Sequence, residues 1–475
     1  MSHLVFTDSF INGEFYKTDS RFSVDDPATE KSIVEVSDID DDGVHKAIKA
    51  AHGAFVKLKS TNASSRSEVL MRWYELVIEH KQTLAGLMTK EQGKPLKESL
   101  GEVEYGAGFI KWYSEQAKRS YGDVIPPTDN QHRLTSFKQP IGVVAGITPW
   151  NFPIAMVTRK VAPAYAAGCS FVLKPSEHTP LCALALAYLA DQAGFEKGAF
   201  NVLVSENAKM VGELLTESEL VRKFTFTGST GVGKQLLTQC ASTIKRTSME
   251  LGGNAPFIIF DNADLDEAVT GLMGAKFRNA GQTCVAANRI FVQRSVLDEV
   301  VKKLNEKVGL LKVAHGFEED SDIGPLIYGK AKQKVQELLT DAKQKGAVQI
   351  NAVKELGGNF QAPVILTGVT PKMDIYHQEV FGPVVSIIAF DEEAEALALA
   401  NDVPYGLAAY FYSQDIKQIY RVSEALEYGM VGINEGLISN PVAPFGGVKQ
   451  SGLGREGGHQ GLDEYLEEKY VCMKV

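Results

Sequence analysis

The chain has 475 residues, 44% of them hydrophobic and 23% charged, which excludes a disordered, collagen-like or low-complexity polymer. Its 49 Lys and Arg against 59 Asp and Glu leave a net charge of -10, which argues against nucleic acid or an anionic membrane as a partner. The five cysteines (Cys169, Cys182, Cys240, Cys284 and Cys472) form no CxxC pair, so neither a disulfide framework nor a thiolate metal site is expected.

At roughly 150 residues per domain, the length suggests two or three domains. In chain order, the first signal is FINGEFY, two short apolar runs around Asn12-Gly13, which predicts a hairpin because both residues tolerate positive φ. Val44, Ile48, Ala51 and Phe55 then recur near helical spacing, and residues 71–87 continue in the same manner, so the opening is predicted to be α-rich. From Gln139 the texture alternates. Apolar runs at 141–147, 171–173, 200–204 and 223–227 are separated by helical stretches at 153–167, 181–193 and 208–215, with another helical stretch at 232–240. Short continuous apolar strands between helices predict a parallel sheet covered on both faces, with ligands at the strand C-termini. A second alternation, with strands near 256–260 and 289–293 and helices near 264–278 and 295–311, predicts a second α/β domain. Residues 121–138 and 461–475 fall outside both alternations and read as edge strands or an oligomerisation arm. The opening MSHLVFTDSF lacks the basic and apolar regions of a secretory signal, and the most apolar stretch is too short to span a bilayer. A cytoplasmic protein with no membrane span is expected.

Two nucleotide motifs almost match. Gly228, Gly233 and Lys234 have the spacing GxxxxGK, but Gln235 stands where a P-loop needs a hydroxyl for magnesium. GxGxxG fails because Leu236 follows Gly231 and Gly233 at the third glycine's place. What remains, FTGSTGVG, is either an ordinary tight turn or a set of helix N-terminal amides suited to a pyrophosphate.

Cys284 lies in FRNAGQTCVAANRIF on an irregular turn. A lone cysteine is ordinarily a small buried hydrophobe, but this context also suits a nucleophile. Glu250, in SMELGGNAPF, is a surface acid or a base that activates water. Asn151, pinned between Pro149 and Pro153 in TPWNFP, is a turn former or an oxyanion donor. Lys174 and Glu177 in LKPSEHTP read as a solvated loop or a grip on ribose hydroxyls, and Glu379 and Phe381 in HQEVFGPVV as an exposed acid and a core aromatic.

Taken in this order, TPWNFP, LKPSE, FTGSTGVG, MELGGNAP, GQTC, EVFGP and PFGGVKQSGLGREGG resemble the aldehyde dehydrogenase superfamily. ANDVPYGLAAYF and YLEEKYV extend the resemblance to its succinate-semialdehyde dehydrogenases. The resemblance implies an α/β fold with a Rossmann-type cofactor domain over 1–120 and 141–250 and an α/β catalytic domain over 251–445. It also implies a small β oligomerisation arm from 121–140 and 446–475, in a homodimer or homotetramer. Cys284 would be the nucleophile, forming a thiohemiacetal and then a thioester; Glu250 would be the hydrolytic base, and Asn151 with the Cys284 N–H the oxyanion hole.

Family matching places Thr148, Pro149, Trp150, Lys174, Ser176, Glu177, Gly228, Ser229, Gly233, Leu251, Glu379 and Phe381 around the cofactor. Glu177 favours NAD, with NADP as the alternative, because a carboxylate accepts from a ribose 2′-OH and repels a 2′-phosphate. Arg159, Arg278 and Ser439 match the family's clamp for a substrate carboxylate. The implied reaction is oxidation of succinate semialdehyde to succinate in gamma-aminobutyrate degradation. A glutarate-semialdehyde or broader aliphatic enzyme is the alternative, and a non-catalytic protein retaining the fold is the reading outside enzymes. Several relatives carry a second cysteine two residues after the nucleophile. Here that place is Ala286, so no local disulfide switch is expected.

Overall fold

The hairpin at Asn12-Gly13 forms as its turn chemistry dictates: Ser9–Ile11 pairs antiparallel with Glu14–Tyr16, and φ is 57° at Asn12 and 79° at Gly13. In this computed structural model, which describes residues 4–475, the hairpin is one edge of an eight-stranded sheet. Five parallel strands make the centre of that sheet, in the order Phe200–Val202, Ser170–Lys174, Val143–Ile147, Val221–Thr227 and Arg246–Glu250. The chain builds outward in one direction from Val143–Ile147, then returns to its other side with Val221–Thr227. The topological switch therefore lies between these two strands, where an open parallel sheet leaves a crevice beyond its C-terminal ends.

Helices cover both faces. The most enclosed is Pro180–Ala193, whose run LCALALA is buried on all sides between the sheet and the helix Ala63–Glu79. Trp73 of that second helix is fully buried and donates its indole N–H to the Leu186 carbonyl at 3.1 Å. Residues 71–87 are not one helix: a break at His80 (φ -93°, ψ 14°) separates Ala63–Glu79 from Lys81–Gln92. A single non-helical residue shifts the apolar phase too little for periodicity to register it.

The second sheet has seven strands, in the order Val348–Gln349, Val364–Thr367, Val384–Phe390, Ala287–Gln293, Ala255–Ile259, Ala408–Tyr412 and Met430–Ile433. All are parallel except the first. Continuous apolar runs such as VVSIIAF and APFII account for its burial on both faces. The two stretches outside the alternations meet in a third sheet, where Leu466–Lys474 pairs along its whole length with His132–Pro140, which in turn pairs with Val124–Ile125. Upstream of that strand, Gly452–Leu453 pairs instead with Arg246–Glu250 at the far edge of the first sheet. Among the described residues, no helix is long and apolar enough to cross a membrane.

Candidate active site

The crevice at the switch point is walled by the turn after Val143–Ile147. Thr148 donates its N–H to the Lys174 carbonyl at 3.1 Å, which carries the ladder one residue past the strand and joins two loops. Pro149 and Pro153 restrict the turn, and a buried ion pair beneath fixes it. Lys94 Nζ lies 2.5 Å from Glu102 and donates to the Asn151 carbonyl at 2.7 Å, while Glu102 accepts the N–H of Ile154 at 2.9 Å and of Ala155 at 3.3 Å. The helix Ala155–Ala167 has no capping side chain of its own, and Glu102 supplies one.

Asn151 is thereby held with its Nδ2 donating to the Gln282 carbonyl at 3.0 Å, which fixes which end of the amide is the donor. The amide nitrogen has a second hydrogen for a ligand.

Cys284 follows a turn of unusual backbone. The helix Leu265–Phe277 stops one residue short of the predicted end because Asn279 and Ala280 take φ of 52° and 55°, followed by Gly281 at 75°. A Cβ on Gly281 would collide with the Gly382 carbonyl, and one on Gly253 with the Cys284 carbonyl, so both glycines are required by close approach. Gln282 secures the turn, donating to the Asn279 and Pro325 carbonyls and accepting from the Ile327 N–H at 3.0 Å. Cys284 itself is half-buried and packs at the edge of the second sheet's core; among the described residues its backbone N–H has no acceptor. Burial, followed by the nearby Glu379 carboxylate, pushes its thiol up to about 12, with Arg159 and Arg278 opposing.

Glu250 ends the strand Arg246–Glu250 and is buried, with Oε2 accepting no hydrogen bond. Burial, then repulsion from Glu456, raises its carboxyl well above the usual range, against the pull of Arg159, Lys160 and Arg455. Glu456 is also buried, but two cations hold its carboxyl below the usual range: Lys160 hydrogen-bonds one oxygen, and Arg159 Nε lies 2.6 Å from the other. The Arg159 N–H is not aligned on that oxygen, so the contact is an ion pair by distance rather than a directed hydrogen bond. Neighbouring carboxyls are thus pushed apart, one toward the acid form and one toward the anion.

On the cofactor side, Ser229 is exposed at the N-cap of the helix Thr230–Cys240, and its hydroxyl makes no capping bond. Gly233 is buried against Leu251, whose side chain a Cβ at that position would strike. Lys174 lies 3.2 Å from Glu177. Burial alone would raise the Glu177 carboxyl, but Lys174 outweighs it and holds the group below the usual range.

Burial raises Glu379 to about 7; it accepts the Gly253 N–H at 3.2 Å. Phe381 takes φ of 53°, a strained conformation for a bulky residue, and its ring meets Trp150 edge-on with centroids 5.6 Å apart. A Cβ on Gly252 would lie 3.1 Å from Glu379 Oε2 and 3.3 Å from Thr230 Oγ1, filling the gap between the two walls. That gap, the free Ser229 hydroxyl and the helix N-terminus fit a dinucleotide.

One cavity of about 360 Å³ brings together most of the predicted residues. Cys284, Glu250, Asn151 and Arg159 line it, as do Pro149, Trp150, Gly228, Ser229, Leu251, Glu379 and Phe381. Lys174, Ser176 and Glu177 lie outside it on the neighbouring loop, joined to its wall through Thr148, and Gly233 stands behind Leu251.

Arg278 and Ser439 line a small adjoining cleft rather than the cavity, and Arg278 lies over the Phe152 ring at 5.2 Å. Sequence reading missed Lys160, Glu456, Phe445 and Tyr105. Phe445 lies over the Arg159 guanidinium at 4.1 Å, and burial raises the Tyr105 hydroxyl against the pull of both Arg159 and Arg278. The one signal for Glu456 was its place among the glycines of GLGREGG.

The chain matches the model of the aldehyde dehydrogenase family over residues 15–471 and belongs to that family. It is 52% identical to a glutarate-semialdehyde dehydrogenase of Pseudomonas putida over 98% of each chain. It is also 52% identical to a 3-sulfolactaldehyde dehydrogenase of Pseudomonas putida, over 98% of this chain and 96% of the relative. The NADP(+) succinate-semialdehyde dehydrogenase GabD of Escherichia coli is 51% identical over 99% and 98%. Among solved structures, a succinate-semialdehyde dehydrogenase from Burkholderia pseudomallei superposes with a TM-score of 0.98 at 49% identity, over 99% and 98%. The protein is an aldehyde-oxidising oxidoreductase that uses NAD(P).

Proposed function

We propose that the protein oxidises succinate semialdehyde to succinate by covalent catalysis at Cys284. The observation that carries this is Arg159, 1% exposed in the cavity that holds Cys284, with Nη2 buried and unpartnered. A guanidinium withdrawn from water with donors unmet favours a substrate that brings an anion. Glutarate semialdehyde, 3-sulfolactaldehyde and succinate semialdehyde, the substrates in the relatives' names, each join an aldehyde to an anionic group. Glutarate semialdehyde is the nearest alternative, since one methylene discriminates by only about 1–3 kcal/mol. Arg278 and Ser439, which line a separate cleft, would join the clamp only if the substrate reaches that cleft.

In this reading the Cys284 sulfur, as thiolate, attacks the aldehyde carbon. The alkoxide that forms is met by the second hydrogen of Asn151 Nδ2 and by the Cys284 N–H, a donor pair fixed before the reaction begins. The bound nicotinamide supplies what the chain lacks, an acceptor for the hydride and a positive charge that favours the thiolate. Loss of hydride leaves an acyl group on sulfur. Ionised Glu250 takes a proton from water, the hydroxide attacks the thioester carbonyl, and succinate leaves with the thiol restored.

Thr148, Pro149 and Trp150 would wall the cofactor crevice, with Gly228, Ser229 and Gly233 around the pyrophosphate. Leu251, Glu379 and Phe381 would border the nicotinamide end, and Lys174, Ser176 and Glu177 the adenosine ribose. An ionised Glu177 supports NAD over NADP; Lys174 beside it is the feature that would admit a 2′-phosphate. A homodimer or homotetramer and a cytoplasmic location complete the proposal. The second rests on five free cysteines, one of them exposed.

Product analysis tests the reading: succinate and NADH should form in equal amounts from succinate semialdehyde, and Cys284→Ser should abolish both. NADH without succinate, or an active Cys284→Ser, would overturn it. Glu177→Ser should raise kcat/KM with NADP relative to NAD.

A further inference from the structure

We propose that Glu456 is a positioning residue for substrate recognition, holding Arg159 through Nε so that the guanidinium presents its other edge, Nη1 and Nη2, to the distal carboxylate of the substrate. This rests on the carboxylate-aldehyde reading above.

Arg159 sits in the second turn of the helix Ala155–Ala167, inside the protein, where each of its N–H groups needs a partner. Nε has Glu456 Oε2 at 2.6 Å as an ion pair, its N–H not aligned on that oxygen. Nη1 has only the Met156 sulfur at 3.9 Å, a weak acceptor, and Nη2 has none. Two aromatic rings pack against the guanidinium, Phe445 with its centroid at 4.1 Å from Cζ and Phe109 at 5.2 Å. Nε is thus paired by distance and two rings pack against the group, which leaves Nη1 and Nη2, an edge that a guanidinium can offer to a carboxylate in bidentate fashion.

Glu456 is placed for this by the backbone. Its N–H donates to the Phe445 carbonyl at 2.8 Å, and Phe445 returns a bond at 2.6 Å, so the residue that anchors the guanidinium and the residue that stacks on it are set side by side. Gly457 follows with φ of 70°, and a Cβ there would meet the Ala443 carbonyl, so the turn that delivers Glu456 requires glycine.

Charge gives a second line. Glu456 divides its two oxygens between Lys160 and Arg159, so one anion serves two buried cations. Glu250 adds no second anion while its carboxyl stays in the acid form that burial and Glu456 favour. A substrate anion would therefore meet a cation that shares its protein counter-ion, at the Nη1 and Nη2 groups left open on Arg159.

The test is the ratio of kcat/KM for succinate semialdehyde to that for butanal, in wild type, Glu456→Gln, Glu456→Asp and Arg159→Met. Losing the alignment of a charge-assisted hydrogen bond to the substrate corresponds to about a 10- to 100-fold loss. Glu456→Gln should therefore lower the ratio by about that factor, mainly through KM for the semialdehyde. Glu456→Asp, which keeps the charge, should recover part of it, and this variant carries the test should the Gln variant not fold. In the Arg159→Met background, Glu456→Gln should cause no further loss of ratio. A ratio that is unchanged in Glu456→Gln, or that rises because a competing carboxylate has gone, would overturn the proposal while leaving the wild-type preference intact. No preference in the wild type would instead remove the functional reading on which it rests.

Discussion

Two buried carboxyls that feel the same cations, Glu250 at a distance and Glu456 in direct ion pairs, are driven to opposite protonation states, and catalysis depends on which one ionises when. Because burial raises the Glu250 carboxyl and only its anion can take a proton from water, deacylation should quicken as pH rises through a value above the ordinary carboxylate range. Steady-state turnover measured against pH should show that rise, and Glu250→Gln should flatten it while the first NADH burst persists. Loss of the burst as well would contradict the assignment. Removing the oxyanion donor with Asn151→Ala should cost roughly 10²- to 10³-fold in kcat, read in steady-state rates. The sequence exposed Cys284, Glu250 and Asn151 as candidates because each follows a strand and is bracketed by Gly or Pro. It could not expose the partner of Arg159. Glu456 lies almost 300 residues further along the chain, and only the folded path of the Phe445–Glu456 bridge brings the two together.

At the scale of elements, the site stands on helix starts that are capped from other helices. Glu91, fully buried on Lys81–Gln92, accepts the Leu181 and Cys182 N–H groups at 2.9 Å each, at the head of Pro180–Ala193. That helix begins directly after the loop carrying Lys174, Ser176 and Glu177. Glu91→Ala should therefore cost about 2 kcal/mol of stability and raise KM for the dinucleotide without changing aldehyde preference. Thermal melts and cofactor titration would check both. Strand and helix alternation was legible because continuous apolar runs and helical spacing are local signals; the hairpin was legible from Asn12-Gly13 alone. The break at His80 was not, because one non-helical residue barely shifts the apolar phase, nor was the left-handed run through Asn279 and Ala280, where Asn279 is held by Gln92, Glu98 and the Asn151 carbonyl, all distant in sequence. Glu102 capping Ala155–Ala167 was equally hidden, because a long-range cap leaves no motif.

Across the whole molecule, two α/β layers meet at the cavity, and a third sheet stands apart from both. Leu466–Lys474 is exposed at every residue but the first, with Tyr470 and Met473 more than half exposed, and its outer edge is unpaired. A three-stranded sheet needs a covered face to be stable, so a second copy of the chain is its proposed cover. Tyr470→Glu with Met473→Glu should shift the protein to a smaller species in light scattering; an unchanged mass would place the interface elsewhere.

The central claim, that one cavity pairs a cysteine nucleophile with an anchored guanidinium for a substrate anion, is tested most directly by one comparison. That comparison is kcat/KM for succinate semialdehyde, glutarate semialdehyde and butanal, in wild type and in Arg159→Ala. The account predicts a wild-type preference for the semialdehydes of roughly 10- to 100-fold, the worth of a charge-assisted hydrogen bond, which Arg159→Ala removes while butanal oxidation continues. Butanal oxidised by the wild type as efficiently as the two acids would contradict it.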